Sequence, residues 1–240
     1  MENIHCIALR TVRHSDSTSI VTAWSRERGR IAVAVNAGAG REARRRRALM
    51  MPLGMFEGIG HFKPGEDICR MSDVRLTPGA TPVPSAMGAV VALFLADFLA
   101  TVLRDCPADP LLSDFLFSEI ASMGTLSETA LANFHLMIIY RMGHFLGIEP
   151  DLSSYAPGRW FDMREARFTV APPLHRQCLD PDRARGVVLL SRLNRRNLAR
   201  VRLSRADRNT LLDSILDYYA LHHASLSSLA SLPVVREIFT

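Results

Sequence analysis

The sequence lacks the residue patterns that mark an enzyme, a metalloprotein or a disulfide-bonded secreted domain. Its four cysteines lie far apart and form no CxxC pair, which excludes a zinc ribbon of the usual spacing and a thioredoxin-like motif. It also has no GxxxxGK[ST], GxSxG or HExxH motif, the local signatures of phosphate binding, serine hydrolysis and zinc proteolysis. We therefore expect no catalytic activity, no cofactor and no metal.

The sequence also gives no sign of secretion or of a membrane span. The N-terminal residues lack a basic segment followed by a long apolar one, so we expect a cytoplasmic protein with reduced cysteines. The longest apolar run, Ala86–Leu103, contains Asp97, which would cost about 2.5–3.5 kcal/mol at a bilayer centre. A helix that is apolar all round is also typical of the centre of a bundle, and that is our prediction here.

The few isolated candidates for chemistry each have a structural explanation that we favour. His135 falls on the apolar side of a predicted helix. His222 and His223 end another helix, where a cation suits the helix dipole. Asp180 precedes a proline in the manner of a helix cap. His175 and Cys178 have ligand-like spacing, but a structural zinc needs four ligands.

Charge is divided unevenly along the 240 residues. Residues 1–80 carry 13 Lys and Arg against 8 Asp and Glu, residues 81–160 carry 3 against 8, and residues 161–240 carry 13 against 8. Both ends therefore have a net charge of +5 and the middle has −5, which indicates a polyanionic partner for the ends. Lys63 is the only lysine.

The first eighty residues predict a small β-barrel. Short runs rich in β-branched residues alternate with polar turns, and Ile31, Val33 and Val35 show the period of a strand with one buried face. Five strands in about eighty residues, with a long loop after the third, indicate a closed or partly open barrel. The predicted strands are Ile4–Val12, Thr18–Arg26, Arg30–Val35, Met51–Phe62 and Ile68–Leu76.

The remaining residues, 81–240, predict a helical domain. Ser85 and Asp109-Pro110 are typical helix starts, as are two stretches with capping-box spacing, Thr125–Glu128 and Ser204–Asp207. Residues 148–182 contain five prolines and predict an irregular insertion with a short hairpin around Trp160–Thr169. The chain is thus predicted to be of α+β class, with a barrel over residues 1–80 and a helical domain after it.

Arginine clusters are the strongest functional signal. Arg41 and Arg44–Arg47 place five guanidinium groups within seven residues, and the segment Arg183–Arg208 contains nine arginines but only one acid, Asp207. Such groups must be solvated, paired or bound to anions, and the fork of arginine suits phosphate. The alternatives are a solubilising loop for the first cluster and ion pairs with the acidic middle for the second. Trp24 and Phe62 are either stacking platforms for bases or core residues. We expect most contacts to be with the phosphate backbone of a nucleic acid and few with its bases.

Several segments, in their order and spacing, resemble the RecO family of DNA repair and recombination mediators, particularly its Bacteroidetes type. The similar segments are Ile7–Thr11, Ser17–Thr22, Ser25–Arg30, Ala92–Asp97, Ala132–Leu136, Phe161–Met163, Leu216–His222, Leu229–Leu232 and Glu237–Phe239. The resemblance covers nearly the whole chain. Many family members carry a four-cysteine zinc module in the C-terminal domain, where this chain has only Cys178, so we expect no zinc.

The resemblance implies an N-terminal OB-fold, binding of single- and double-stranded DNA, annealing of complementary strands, and loading of RecA onto DNA coated by single-strand-binding protein. The implied partners are RecR and the acidic C-terminal tail of single-strand-binding protein. Two alternatives remain open, an OB-fold RNA-binding protein and a protein–protein adaptor. The candidate DNA-binding residues are Arg28, Arg30, Arg41, Arg44, Arg45, Arg46, Arg47, Arg195, Arg196 and Arg200.

Overall fold

A computed structural model describes residues 1–15, 17–36, 40, 46–80 and 85–238. It divides the chain into two compact units, Met1–Leu126 and Ser127–Thr240. The sequence boundary at residue 80 marks the change from strands to helices, whereas the first compact unit also includes two helices that follow the strands.

Five strands of the first unit form a closed barrel in the order β1-β2-β3-β5-β4. All neighbouring pairs are antiparallel except β3 and β5, which run parallel. This confirms the predicted barrel. The strands are β1 (Glu2–Arg13), β2 (Thr18–Ser25), β3 (Gly29–Asn36), β4 (Met55–His61) and β5 (Ile68–Leu76).

The alternating apolar residues of the strands fill the barrel, since successive side chains of a strand point to opposite faces. Val21, Val33 and Val35 point inward with Phe56 and are at most 1% exposed. The fourth strand starts later than predicted, at Met55 instead of Met51. Residues 46–49 form a short helical turn. Residues 51–54, which were predicted to begin the strand, form a turn in which the backbone N–H of Gly54 donates to the Met51 carbonyl at 2.7 Å.

The turn between β2 and β3 requires glycine at position 29. Gly29 has a φ of +69°, and a Cβ there would lie 2.9 Å from the backbone nitrogen of Ala108. A side chain would therefore meet both an unfavourable backbone conformation and a fixed backbone neighbour. The close approach also shows that the turn packs against the chain just before the second helix of this unit.

Gly29→Ala is expected to lower the free energy of unfolding by about 2–3 kcal/mol, because a φ penalty and a steric clash add together. The matched control is Gly65→Ala, since Gly65 also has a positive φ, +81°, but a Cβ there would have no neighbour within 4 Å. That variant should lose only about 1 kcal/mol. Urea denaturation of both variants measures the difference, and equal losses would contradict the close packing at Gly29.

Two helices complete the first unit, α1 (Ala86–Val102) and α2 (Pro110–Ser122). As predicted, Ser85 caps α1 and Asp109 caps α2, the latter by accepting hydrogen bonds from the N–H groups of Leu111 and Leu112. The β2–β3 hairpin contacts α2 directly: Trp24 Nε1 donates to Ser113 Oγ at 3.1 Å. Arg26 forms an ion pair with Asp114 and lies over the Phe117 ring.

None of the helices that the structure describes is long and apolar enough to cross a membrane.

The second unit contains four helices among its described residues. They are α3 (Glu128–Phe145), α4 (Pro181–Arg192), α5 (Arg205–His222) and α6 (Leu232–Glu237). The capping box at Ser204 and Asp207 is confirmed. The one at Thr125 is wrong, because the Thr125 hydroxyl donates to the Ser122 carbonyl and Ser127 caps α3 instead.

The proline-rich insertion contains a small sheet in the order β7-β6-β8. Its strands are β6 (Trp160–Asp162), β7 (Arg167–Thr169) and β8 (Cys178–Leu179). The pairing of β6 with β7 confirms the predicted hairpin. The third strand was not predicted, since a strand of two residues is too short to show the alternation of buried and exposed side chains.

Candidate nucleic-acid interface

An open groove of about 770 Å³ lies on the outer face of β2, β3 and β5. The β1–β2 and β4–β5 loops border it, and this is the face on which five-stranded barrels of the OB type bind oligonucleotides. Residues from these strands and loops that line the groove include His14, Thr18, Asn36, Glu66, Asp67 and Arg70.

The groove is not strongly basic by itself. Arg70 and His14 share its wall with two carboxylates, Glu66 and Asp67, and Glu66 forms an ion pair with Lys63 at 3.4 Å. A polyanion in this groove would need additional positive charge from the rim, because it binds to a net positive surface.

The first arginine cluster adjoins this rim. Arg46 Nη1 donates to the carbonyl of Asn36 at 3.3 Å, and Asn36 lines the groove. Arg47 is exposed beside it. The structure thus places this end of the cluster at the groove. The other three predicted residues, Arg41, Arg44 and Arg45, lie outside the described residues.

Arg28 and Arg30 lie at the opposite end of β3 from Asn36. Arg28 forms an ion pair with Glu2, and its guanidinium lies 4.1 Å from the centre of the Phe62 ring. Its charge is therefore already engaged within the barrel. Arg30 is exposed and sits opposite Trp24 in the β2–β3 register.

Sequence reasoning missed two exposed arginines of the barrel, Arg10 and Arg70. Arg10 lies on β1 beside Thr11, whose hydroxyl donates to the Met50 carbonyl at 2.7 Å, so Arg10 lies near the turn that carries Arg46 and Arg47. Among the residues that the structure describes, neither Arg10 nor Arg70 forms an ion pair. For Arg70 the strand alternation carried the signal, since it is an exposed position between the buried Cys69 and Met71; Arg10 begins the exposed end of β1 and has no such signal.

Trp24 is a core residue, and Phe62 is partly buried against the core of the barrel. Trp24 is fully buried and donates a hydrogen bond to Ser113, and Phe62 is covered on one side by Arg28. The possibility that Trp24 stacks is therefore wrong for this structure. The described residues lining the groove include no Phe, Tyr or Trp.

The part of the second arginine cluster that was predicted to bind DNA lies in the second unit, on the segment between α4 and α5. Arg195, Arg196 and Arg200 are all exposed there. Arg202, which the sequence reasoning did not single out, is exposed on the same segment. In the part of the chain that the structure describes, Arg196, Arg200 and Arg202 form no ion pair, so the alternative of pairing with acids does not apply to these three.

Asp180 has the capping role that we favoured, and two of the candidate histidines contact neighbouring protein groups. Asp180 caps α4 by accepting hydrogen bonds from the N–H groups of Asp182 and Arg183. His222 bonds the Met163 carbonyl at 2.6 Å, and His175 lies 3.3 Å from Asp162. Within the described ranges, no three His, Cys, Asp or Glu side chains form a group that could hold a metal ion.

His135 is fully buried in α3, and its burial predicts how stability responds to acid. Desolvation, together with the charge of Arg208, lowers the pKa of the imidazole from 6.5 to about 3. The unfolded chain takes up a proton at His135 near pH 6.5 while the folded protein does not. Stability from His135 is therefore fully present above that pH and is lost as the pH falls toward 3.

We expect His135→Leu to flatten this acid response. Each pH unit inside the window removes up to about 1.4 kcal/mol from the free energy of unfolding of the parent protein. Urea denaturation between about pH 7 and pH 4.5 should show a shallower decline for the variant. The same replacement at the exposed His14 serves as the control and should leave the decline unchanged. Equal slopes for all three proteins would contradict a neutral His135.

Comparison with known proteins decides the family. The family sequence model described as "Recombination protein O N terminal" matches residues 1–79, which is the range of the barrel. The DNA repair protein RecO of Phocaeicola vulgatus is 32% identical over 235 residues, covering 98% of this chain and 97% of the relative. This chain belongs to the RecO family.

Two further RecO proteins show the same extent of similarity. The DNA repair protein RecO of Bacteroides fragilis strain ATCC 25285 is 31% identical, and that of Porphyromonas gingivalis strain W83 is 32% identical, each match covering 97% of both chains. The family resemblance derived from the sequence, including its Bacteroidetes type, is confirmed. A RecO chain is a DNA repair protein, which supports a role as a recombination mediator.

Proposed function

We propose that this RecO chain binds single- and double-stranded DNA, anneals complementary strands and helps to load RecA onto DNA coated by single-strand-binding protein. Its place of action would be the nucleoid in the cytoplasm. The observation that carries the proposal is the presence, on each of the two units, of exposed arginines without ion pairs among the described residues, namely Arg10, Arg30, Arg47 and Arg70 on the first and Arg196, Arg200 and Arg202 on the second.

Annealing follows from this charge without any chemical step. Two complementary strands repel each other through their phosphates, and arginines that contact those phosphates reduce the repulsion. A protein that binds a strand through each unit also raises the local concentration of one strand near the other. The contacts are to the backbone, so the activity should not depend on base sequence.

The test is fluorescence anisotropy of a labelled mixed-sequence strand, about 30–40 nucleotides long, titrated at low and near-physiological salt. We expect binding that weakens steeply with salt and annealing of complementary oligonucleotides in the same range. An RNA strand that competes better than DNA would favour the RNA-binding alternative. Absence of binding at low salt would overturn the proposal and favour an adaptor that holds only protein partners.

The proposed protein partners are RecR and the acidic C-terminal tail of single-strand-binding protein. For the tail, the second unit offers the exposed guanidinium of Arg183, at the edge of a small apolar cavity of about 40 Å³ that Phe161, Leu211 and Tyr218 line. A guanidinium suits the carboxylates of the tail, so we place the contact at Arg183 and not inside the cavity. A labelled peptide of the tail should bind the parent protein, and Arg183→Ala should weaken it. Equal affinity for both would contradict this placement.

A further inference from the structure

The backbone of residues 192–202, here called the arginine segment, is held by two side chains of helix α3. The Nδ2 group of Asn133 donates to the carbonyl of Leu198 at 3.0 Å and to that of Val201 at 2.7 Å. Arg141 donates from Nε and Nη2 to the carbonyl of Leu193 at 3.3 and 2.9 Å. Carbonyl groups at both ends of the segment are thus bound to one helix.

The arginine segment is also fixed from within. The N–H of Asn194 donates to Asn197 Oδ1, the N–H of Arg196 donates to Asn194 Oδ1, and Asn197 Nδ2 donates to the Arg192 carbonyl at 2.7 Å. Leu193 and Leu198 are at most 1% exposed. The segment is therefore an ordered loop with buried apolar anchors.

The charged side chains of this loop point the other way. Arg195, Arg196, Arg200 and Arg202 are exposed, while several polar groups of the segment's backbone are bound by Asn133, Arg141 and the two asparagines of the loop. A flexible basic loop loses conformational entropy when it binds, whereas a loop that is already ordered avoids much of that cost.

We propose that the arginine segment is a preformed surface for the phosphate backbone of single-stranded DNA, and that Asn133 and Arg141 are its positioning residues. The inference rests on the proposed function and adds the residues that build the surface on the second unit. Neither Asn133 nor Arg141 is assigned a phosphate contact. They act through the carbonyl groups of Leu193, Leu198 and Val201, which set where the arginines lie.

Arg141→Lys is the decisive variant because it preserves the charge and removes the pair of hydrogen bonds that Nε and Nη2 donate to the Leu193 carbonyl. Asn133→Ala is the second variant, since it removes both hydrogen bonds to the other end of the segment. The matched control is Tyr219→Phe, which deletes a buried hydrogen bond of the same unit, from the Tyr219 hydroxyl to the Ile139 carbonyl at 2.8 Å, without touching the arginine segment. Thermal melting of each variant records its loss of stability.

We expect Arg141→Lys and Asn133→Ala to weaken binding of a labelled single strand by about three- to tenfold each, since each loses hydrogen bonds that hold the surface. The slope of log affinity against log salt should also become shallower, although neither variant changes the charge. Tyr219→Phe should retain both the affinity and the slope at a similar loss of stability. A purely structural role of Asn133 and Arg141 would not change the salt slope.

A charge-removing pair tests the surface itself. Arg196→Ala combined with Arg200→Ala should reduce the salt slope by about 1.4, which corresponds to two phosphates. Arg185→Ala should reduce the slope by clearly less than half of that amount, because Arg185 lies outside the segment and is paired with Asp182 at 3.8 Å.

Parent-like affinity and slope in both Arg141→Lys and Asn133→Ala, with the parent protein binding normally, would overturn the inference and leave the proposed function intact. If Asn133→Ala does not fold, Arg141→Lys alone decides. A parent protein that fails to bind a single strand at low salt would overturn both.

Discussion

Replacing Trp24 with alanine is expected to lower the free energy of unfolding of the first unit by about 3–5 kcal/mol. The indole is fully buried, and its Nε1 donates to the buried Ser113 hydroxyl at 3.1 Å. Truncation leaves a cavity where strand β2 meets helix α2, and it deprives Ser113 of its donor. A urea denaturation curve followed by circular dichroism measures the loss.

Trp24→Phe is the matched control because it retains most of the apolar volume and removes only the hydrogen bond and part of the ring. It should cost clearly less than the alanine variant. If Trp24→Ala instead kept the stability of the parent and lost affinity for single-stranded DNA, the indole would be a stacking platform and its buried position would be contradicted.

Replacing Arg44–Arg47 together with alanine is expected to have the largest effect on DNA binding. Each phosphate contact to a single strand contributes about 0.7 to the slope of log affinity against log salt, so four lost contacts lower it by up to about 3. Affinity at near-physiological salt should fall by about two orders of magnitude. Anisotropy titrations at several salt concentrations give both quantities, and unchanged values would contradict a role for this cluster.

A control of equal charge separates contact from net charge. Arg46→Ala with Arg47→Ala removes two arginines, one exposed and one bonded to Asn36 at the groove. Arg104→Ala with Arg164→Ala removes two exposed arginines outside both clusters. The first pair should reduce the slope by about 1.4 and the second pair by much less. Equal reductions would mean that only the overall charge matters.

Much of the local structure could be predicted because its causes are local. The alternation of Ile31, Val33 and Val35 predicts a strand with one buried face, and Asp109-Pro110 predicts a helix start. In each case the signal lies within a few neighbouring residues. The prediction at Thr125 was wrong for the same reason: Thr125 and Ser127 are both capable caps, and a three-residue turn decided between them.

The candidate site was predictable only in part. The sequence shows where the two arginine clusters lie, but it does not show which arginines form ion pairs within the protein. Arg28 pairs with Glu2, 26 positions away, whereas Arg196, which is also exposed, forms no ion pair within the described residues. Asn133 resembles an ordinary polar residue of a helix, and its role depends on carbonyl groups 65 and 68 positions later.

By itself, the sequence determined the barrel followed by helices, the two basic ends, the lack of known catalytic motifs and the resemblance to the RecO family. Tertiary structure alone decided that Trp24 is a core residue, that helix α2 belongs to the same compact unit as the barrel, and that the arginine segment is ordered from helix α3. The physical reason is that periodicity and capping act between near neighbours. Burial, ion pairing and hydrogen bonds to distant carbonyl groups instead depend on which parts of the chain meet.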